Sequence, residues 1–160
     1  MRVAGVVVAA GLLGAAIGLV DVVRTARRLD RLHVRTDAAW AALDVALGRR
    51  VLAVSGLGAS PACSAAAADA ALQAGLAVRE DVENELGWVL AVLDRTGLDP
   101  ARAAQLADAE QRVVIARRVY NDAVRDTLAL RSHRTVRWLR LAGTAPLPRY
   151  FEIAEPILPG

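Results

Sequence analysis

The sequence of 160 residues contains one cysteine, two histidines, no lysine and only 4% aromatic residues. A single cysteine excludes an internal disulfide, and the cysteine and histidines lack the spacing of zinc ligands. Motifs typical of hydrolases and metalloproteases, such as GxSxG and HExxH, do not occur. The sequence therefore predicts no catalytic residue, no metal and no cofactor. An enzyme whose site forms only in an assembly is kept as the second alternative function.

Hydrophobic residues make up 55% of the chain and charged residues 23%, with a formal net charge of +3. This composition excludes a chain that is disordered throughout, because it offers enough apolar surface to drive burial. Alanine, leucine and arginine dominate, and all three favour helix. We therefore expect an all-α fold in which an N-terminal transmembrane helix is followed by an antiparallel bundle of three to four helices.

The run from Val3 to Val20 contains no charged or strongly polar residue. A helix of this length covers about 27 Å, close to the hydrocarbon thickness of a bilayer. Basic residues follow the run at Arg24, Arg27, Arg28 and Arg31. The positive-inside rule then predicts a single-pass protein of the plasma membrane, with the N-terminus outside and the C-terminal body in the cytoplasm. A cleaved signal peptide is the competing interpretation, and the long apolar run preceded by a single arginine counts against it.

Two glycines within this run, Gly14 and Gly18, form a GxxxG pattern. Small residues at this spacing let two helix backbones approach closely in lipid, which makes a homodimer through this face a hypothesis. The alternative is chance, because spans rich in alanine and glycine often contain the pattern.

Apolar residues repeat every 3.5 residues in three parts of the chain, which is typical of helices that pack in bundles or coiled coils. A shorter stripe runs from Val82 to Leu93. The first long stripe consists of Leu29, Leu32, Thr36, Trp40, Leu43, Leu47, Arg50 and Val54. The second consists of Leu106, Ala109, Val113, Ala116, Tyr120, Ala123, Thr127 and Leu130.

Glycine and proline divide the body into helices. Residues 55–61 contain two glycines and a proline and predict the end of the first helix, whereas Asp99 and Pro100 suit the N-cap and first position of the last one. We predict a first helix of about 55 residues including the span, an alanine-rich stretch at 62–78, a helix at 79–96 and a last helix from 100 to about 135. A break at Gly75 gives four helices, which we favour, and an unbroken segment gives three.

The predicted organisation has three parts. Residues 1–23 form the anchor, residues 24–140 the cytoplasmic bundle and residues 141–160 an extended, proline-containing tail.

Three blocks of the sequence resemble the LemA family. Residues 39–50 (AWAALDVALGRR) are similar to its tryptophan-centred helix with a terminal arginine pair, residues 110–124 (EQRVVIARRVYNDAV) to its late helix, and 150–152 (YFE) to its terminus. The resemblance implies a helical bundle on a membrane anchor with the N-terminus outside. It implies no reaction, because the family as a whole has no established activity. The family-motif residues, expected in the core or on an interaction surface, are Trp40, Asp44, Arg49, Arg50, Glu110, Arg117, Tyr120, Asn121, Asp122, Tyr150, Phe151 and Glu152.

The chain departs from the family pattern in three places. Residues 51–55 read VLAVS where family members have Asp-Leu-Ile-Pro-Asn-Leu-Val, and Thr127-Leu128 stands where a second Tyr-Asn is usual. The Phe-Pro that normally follows is missing, and the middle of the chain is short. The sequence therefore resembles a divergent, shortened member, and an interaction surface on the missing segments would be lost.

Arg50 lies on the same apolar stripe as Trp40. An unpaired buried charge is costly, so this arginine needs a partner or must extend its head group to solvent. We expect an interhelical ion pair that fixes the register of the bundle, with snorkelling as the alternative. The candidate partners are Glu83, Glu85, Asp108 and Glu110.

The aromatic residues Trp40 and Tyr120 lie on the two long stripes, which predicts core packing rather than a ligand contact. Arg117, Asn121 and Asp122 lie beside Tyr120 on one helix. They predict a polar network with the Trp40 helix or, less favoured, a surface for a partner.

The segment 131–141 is basic and contains one tryptophan. If the last helix runs back toward the bilayer, its residues meet the anionic inner leaflet, and a solvated helix end is the alternative. The residues concerned are Arg131, Arg134, Arg137, Trp138 and Arg140. Nucleic acid is not an expected partner, because the segment has one aromatic residue and no recognition motif.

Together these patterns predict a non-enzymatic interaction or scaffold module at the cytoplasmic face of a membrane. The first alternative is a module that binds the lipid surface through its basic C-terminal segment. The expected partners are the membrane and one or more proteins whose identity the residues do not encode.

Overall fold

The computed structural model describes the backbone of residues 2–55, 76–91, 93 and 95–153, with side chains from residue 11 in the first range and from residue 78 in the second. Its regular elements are α1 (Arg2–Ser55), α2 (Leu76–Ala91), α3 (Pro100–Arg131) and α4 (Arg134–Trp138). No strand occurs within these ranges, and the prediction of an all-α fold is confirmed.

Two predicted helix boundaries agree closely with the structure. α1 ends at Ser55, immediately before the glycine- and proline-containing segment. α3 begins at Pro100, and Asp99 caps it: its Oδ2 accepts hydrogen bonds from the backbone N–H groups of Ala101 (3.1 Å) and Arg102 (3.3 Å). These bonds satisfy donors that have no partner within the first helical turn.

Other boundaries differ from the prediction. The last long helix ends at Arg131 rather than near residue 135, and Ser132 and His133 separate it from the short helix α4. α2 covers Leu76–Ala91 rather than 79–96, and residues 93 and 95 are not helical. The predicted alanine-rich stretch at 62–78 lies outside the described residues as far as residue 75, as do Cys63 and the break at Gly75.

The predicted membrane span from Val3 to Val20 forms the first part of α1, although the side chains of residues 2–10 lie outside the described part. Among the residues that are described, no helix carries a stretch long and apolar enough to cross a membrane. From residue 11 onward, the large apolar side chains of this segment are exposed, with exposed fractions of 68% for Leu12, 64% for Leu13 and 63% for Ile17.

The chain forms two compact units, and both α1 and α3 contribute to each of them. The first unit consists of Met1–Thr36 and Ala123–Pro148, and the second consists of Asp37–Asp122 and Arg149–Gly160.

In the first unit, α1 and α3 run antiparallel. Leu29 packs with Leu130 and with Val136 of α4, and partly buried side chains cover this cluster. Further along the same interface, the hydroxyl groups of Thr36 and Thr127 lie 3.0 Å apart and are buried. Both threonines belong to the predicted stripes, and each hydroxyl also lies 2.9 Å from a carbonyl oxygen of its own helix. One hydroxyl therefore donates to the other, which in turn donates to its helix carbonyl, and neither is left without a partner.

The second unit has its core between α1, α2 and the start of α3. Val51, Val54, Leu86, Leu90 and Leu106 form one buried cluster. α1 runs antiparallel to α3 here as well, and it runs parallel to α2. All members of the two long predicted stripes are buried or half-buried, so the 3.5-residue repeat identified the packed faces correctly.

Candidate functional site

An ion pair buried between α1 and α2 connects Arg50 to Glu83, from Nη2 to Oε2. The same nitrogen lies 3.3 Å from the backbone oxygen of Glu83. Glu83 is fully buried and Arg50 is 8% exposed. The predicted interhelical ion pair of Arg50 is therefore confirmed, with Glu83 as the partner among the four candidates.

Arg79 extends this pair into a buried ion cluster made of Asp44, Arg50, Arg79 and Glu83. Arg79 is 2% exposed, and its Nε lies 3.4 Å from Oε1 of Glu83, one turn along the same helix. Its Nη2 lies 3.5 Å from Oδ1 of Asp44 on α1, whose side chain is 34% exposed. Two positive and two negative charges compensate one another, as buried charges require. The cluster therefore joins α1 to α2 at two places.

The sequence patterns did not predict a buried role for Arg79. The signal that could have found it is the spacing of Arg79 and Glu83, because residues four apart in a helix share a face. This spacing was not informative because the helix was predicted to begin at residue 79, which placed Arg79 at a helix end rather than on a packed face.

A second cluster in the same unit holds the chain's C-terminal segment and is here called the tail site. It consists of Trp40 from α1, Glu80 from α2, and Arg117, Tyr120 and Asn121 from α3. Phe151, which is completely buried, fills it: the ring centroids of Trp40 and Phe151 lie 5.8 Å apart, and those of Trp40 and Tyr120 lie 5.4 Å apart. Both ring pairs are tilted, which suits the quadrupoles of aromatic rings.

The polar groups of the tail site bind the backbone of residues 149–153. Asn121 donates from Nδ2 to the carbonyl oxygen of Phe151 (3.1 Å) and accepts from its N–H at Oδ1 (3.0 Å). The Tyr120 hydroxyl donates to the carbonyl oxygen of Arg149 (2.8 Å), and Glu80 Oε1 accepts from the N–H of Glu152 (2.7 Å). Arg117 donates to the carbonyl oxygen of Ile153 (3.4 Å). Recognition therefore depends on an extended backbone and one aromatic side chain.

This arrangement corrects the predicted polar network beside Tyr120. Within the part of the chain that the structure describes, Arg117 and Asn121 form hydrogen bonds with the tail, and Asp122 is exposed. The aromatic prediction is confirmed, because Tyr120 is buried against Trp40. The described part of the tail, as far as residue 153, has neither helix nor strand from residue 145 onward.

Among the remaining family-motif residues, Asp44 and Arg50 belong to the buried ion cluster, whereas Tyr150 and Glu152 flank Phe151 in the bound segment. Glu110 forms a bidentate ion pair with Arg95, at 2.8 and 2.9 Å, and this hydrogen bonding raises the pKa of Arg95. Arg49, Tyr150 and Glu152 are exposed. The residues that the three LemA-like blocks bring together at the tail site are therefore Trp40, Arg117, Tyr120, Asn121 and Phe151.

The basic residues of the first unit are largely on the surface. Arg24, Arg27, Arg28 and Arg31 are exposed on α1, as are Arg134, Arg137 and Arg140 near α4. Trp138 is 90% exposed. Arg131 differs from the other predicted lipid-surface residues, because its guanidinium donates to the carbonyl oxygens of Ala145 (2.7 Å) and Pro146 (2.8 Å).

No protein-family model, curated protein or solved structure matches the chain. Within the part of the chain that the structure describes, no three histidine, cysteine or acidic side chains are grouped as they would be around a metal ion.

Burial raises the pKa of Tyr120, and the negative charges of Glu80 and Asp37 raise it further. Folding thus favours the protonated phenol, whose contribution to stability is complete below the ordinary tyrosine pKa. That contribution is lost as the pH rises above about 10 and through the folded-state pKa. We expect an ultraviolet titration of tyrosinate to show a late step for Tyr120, together with release of the tail, because an ionised phenol cannot donate to Arg149. The late step should disappear in Tyr120→Phe, and its persistence there would show that it does not belong to Tyr120.

Proposed function

We propose that this protein is a non-enzymatic interaction module held at the cytoplasmic face of the plasma membrane by the first part of α1. The observation that carries the proposal is the row of exposed apolar side chains that begins the described part of this helix, including Leu12, Leu13 and Ile17. Exposed apolar surface of this kind marks a face that another apolar phase or partner covers. The same helix continues without a break to Ser55 in the packed body.

The charges along α1 support the proposed orientation. Four arginines follow the apolar segment, and all are exposed: Arg24, Arg27, Arg28 and Arg31. Basic residues that flank a span are retained on the cytoplasmic side. The body then lies inside and the short N-terminus outside.

A role in interaction rather than catalysis is supported by what the charged and aromatic groups do. Glu83 and Arg79 are buried in an ion cluster that joins helices, and Trp40 and Tyr120 pack on the tail. The resemblance to the LemA family is supported by the meeting of its three blocks at the tail site. We therefore extend the proposal to divergent membership of that family.

Self-association through Gly14 and Gly18 is part of the same proposal. Among the residues that the structure describes, none has an atom within 4 Å of a Cβ built on either glycine. This face is therefore open to the close approach of a second helix, as GxxxG packing in lipid requires.

Membrane fractionation of the full chain tests the tether. We expect the protein to remain in the membrane pellet after alkaline carbonate extraction. Leu13→Arg combined with Ile17→Arg should move it to the supernatant, since each arginine near a helix centre disfavours insertion by about 3 kcal/mol relative to an aliphatic residue. Leu13→Ala combined with Ile17→Ala is the matched control and should stay in the pellet. Full extraction of the unaltered chain would end the proposal.

A second candidate function, binding of the lipid surface, is favoured by the geometry of α4. Val136 is buried against Leu29 of α1. Leu29 lies nine residues after Val20, the end of the apolar run, and this separation corresponds to about 14 Å along the helix axis. On the same short helix Trp138 is 90% exposed, and Arg134 and Arg137 are exposed beside it. Exposed tryptophan and arginine side chains are suited to contact the headgroups of an anionic leaflet.

Sedimentation with vesicles tests this second candidate. A chain of residues 24–160 is expected to pellet with vesicles containing phosphatidylserine and to stay in solution with phosphatidylcholine alone. Arg137→Gln should weaken binding about fivefold, because each basic residue near an anionic surface contributes about 1 kcal/mol. Arg125→Gln, on the exposed side of α3, is the control. Equal behaviour with both kinds of vesicle would rule the lipid-surface role out.

A further inference from the structure

We propose that the tail site is a binding site for an extended peptide, and that the C-terminal tail of a second copy of this chain is its partner in trans. In the single chain the site is filled by residues 149–153 of the same molecule. Five hydrogen bonds between the site and the described residues of that segment go to its backbone groups, from Arg149 to Ile153. An identical segment from another chain offers the same groups.

The tail site binds residues 149–153 in the way that a receptor binds an extended peptide ligand. Asn121 pairs its side-chain amide with both the N–H and the carbonyl oxygen of Phe151, which fixes the direction and register of the bound segment. Side chains then alternate: Phe151 is buried, whereas Tyr150 and Glu152 on either side are exposed. Alternation of this kind is the pattern of an extended peptide that presents one face to its receptor.

The receptor is built without the segment that it binds. Its five residues lie on α1, α2 and α3, which are held together by the buried ion cluster and by the Val51–Leu106 hydrophobic cluster. The tail reaches it through residues 143–148, which contain Gly143 at φ +56° and two prolines, and which lie in neither a helix nor a strand. Short connections of this type permit an element to be exchanged between identical chains.

The chain's own tail competes with any other tail or peptide for the site, and this competition determines how much the apparent affinity for a free peptide is lowered. A tethered tail has an effective concentration of the order of millimolar. For a free peptide with a dissociation constant of about 0.1 mM, the chain's own tail therefore lowers the apparent affinity of the site by about tenfold. Confinement of many copies to one surface raises the concentration of competing tails.

Peptide binding is the first test, made with the full chain in detergent. The probe is a fluorescent peptide of residues 145–153 (APLPRYFEI). It should bind Phe151→Ala, whose own tail is disabled, at least about tenfold more tightly than the unaltered chain. Asn121→Ala combined with Phe151→Ala should lose this binding, and a peptide with alanine in place of its phenylalanine should not bind. Absence of binding to Phe151→Ala, or equal binding to the double variant, would overturn the proposal.

A chain that ends at Pro148 is the second receptor. It has an open site without any substitution, so misfolding of Phe151→Ala cannot hide the answer. Circular dichroism of each variant establishes that its helices are intact.

Complementation is the second test. Phe151→Ala has an intact site and a disabled tail, whereas Asn121→Ala has an intact tail and a disabled site. A tagged copy of one should capture the other from a mixture, at least about tenfold more than either variant captures its own kind. Equal capture in all three pairings would show that association does not use the tail. This inference rests on the proposed interaction role and names a partner for it. The two proposals can be contradicted independently, because extraction from membranes depends on residues 3–20, whereas exchange of tails depends on Asn121 and Phe151.

Discussion

Replacing Glu83 with alanine is expected to lower the free energy of unfolding by about 3–5 kcal/mol, the usual cost of removing one partner from a buried ion pair. Glu83 is fully buried and faces two arginines, Arg50 and Arg79. Without the carboxylate, both guanidinium groups stay buried with one negative charge fewer between them, and Asp44 faces only Arg79. Chemical denaturation followed by helical circular dichroism measures the loss.

Glu85→Ala is the matched control, because Glu85 lies on the exposed side of the same helix. It should change the free energy of unfolding by no more than about 0.5 kcal/mol. Arg50→Leu should cost less than Glu83→Ala, because Glu83 then keeps Arg79. Equal stability of Glu83→Ala and Glu85→Ala would show that the buried ion cluster does not hold α1 and α2 together.

Replacing Phe151 with alanine should release the tail and lower the free energy of unfolding by about 1.5–3 kcal/mol, the value of burying one large apolar side chain. The loss is limited to the docking energy, because the helices do not need the tail to close their own core. Trypsin should cut after Arg149 faster in this variant, since the carbonyl oxygen of Arg149 no longer accepts from Tyr120.

Tyr150→Ala is the control for the tail. The side chain of Tyr150 is 41% exposed and lies next to Phe151 in the sequence, so its removal should leave both the cleavage rate and the stability nearly unchanged. Slow cleavage at Arg149 in Phe151→Ala would mean that the backbone hydrogen bonds alone hold the segment.

The sequence allowed the packed faces of the helices to be predicted because they repeat over many turns. Leu29, Leu47 and Leu106 are each one of eight members of a stripe, and a single exception would not have hidden the pattern. The cap at Asp99 was predictable for a local reason, since its partners lie two and three residues away. Arg50 was found because a charge on an apolar stripe needs a partner, and its four candidates could be named but not ranked.

The tail site could not be predicted in the same way. Asn121 and Phe151 are 30 residues apart, and Glu80 and Glu152 are 72 apart. A segment of five residues is too short to show a period, and contacts of an amide with a backbone leave no trace in the type of residue that is contacted. The resemblance to a known family drew attention to Trp40, Tyr120 and Phe151 separately, whereas only the structure places them together.

Labelling of a surface cysteine in intact cells tests the central claim, that the body lies on the cytoplasmic side of a membrane. Cys63 is the only cysteine, so Cys63→Ser combined with Ser132→Cys gives one exposed reporter in the body. A membrane-impermeant maleimide should leave this cysteine unlabelled in intact cells and label it after permeabilisation, with the protein in the membrane fraction. Labelling of intact cells, or recovery of the full chain in the high-speed supernatant, would contradict the account.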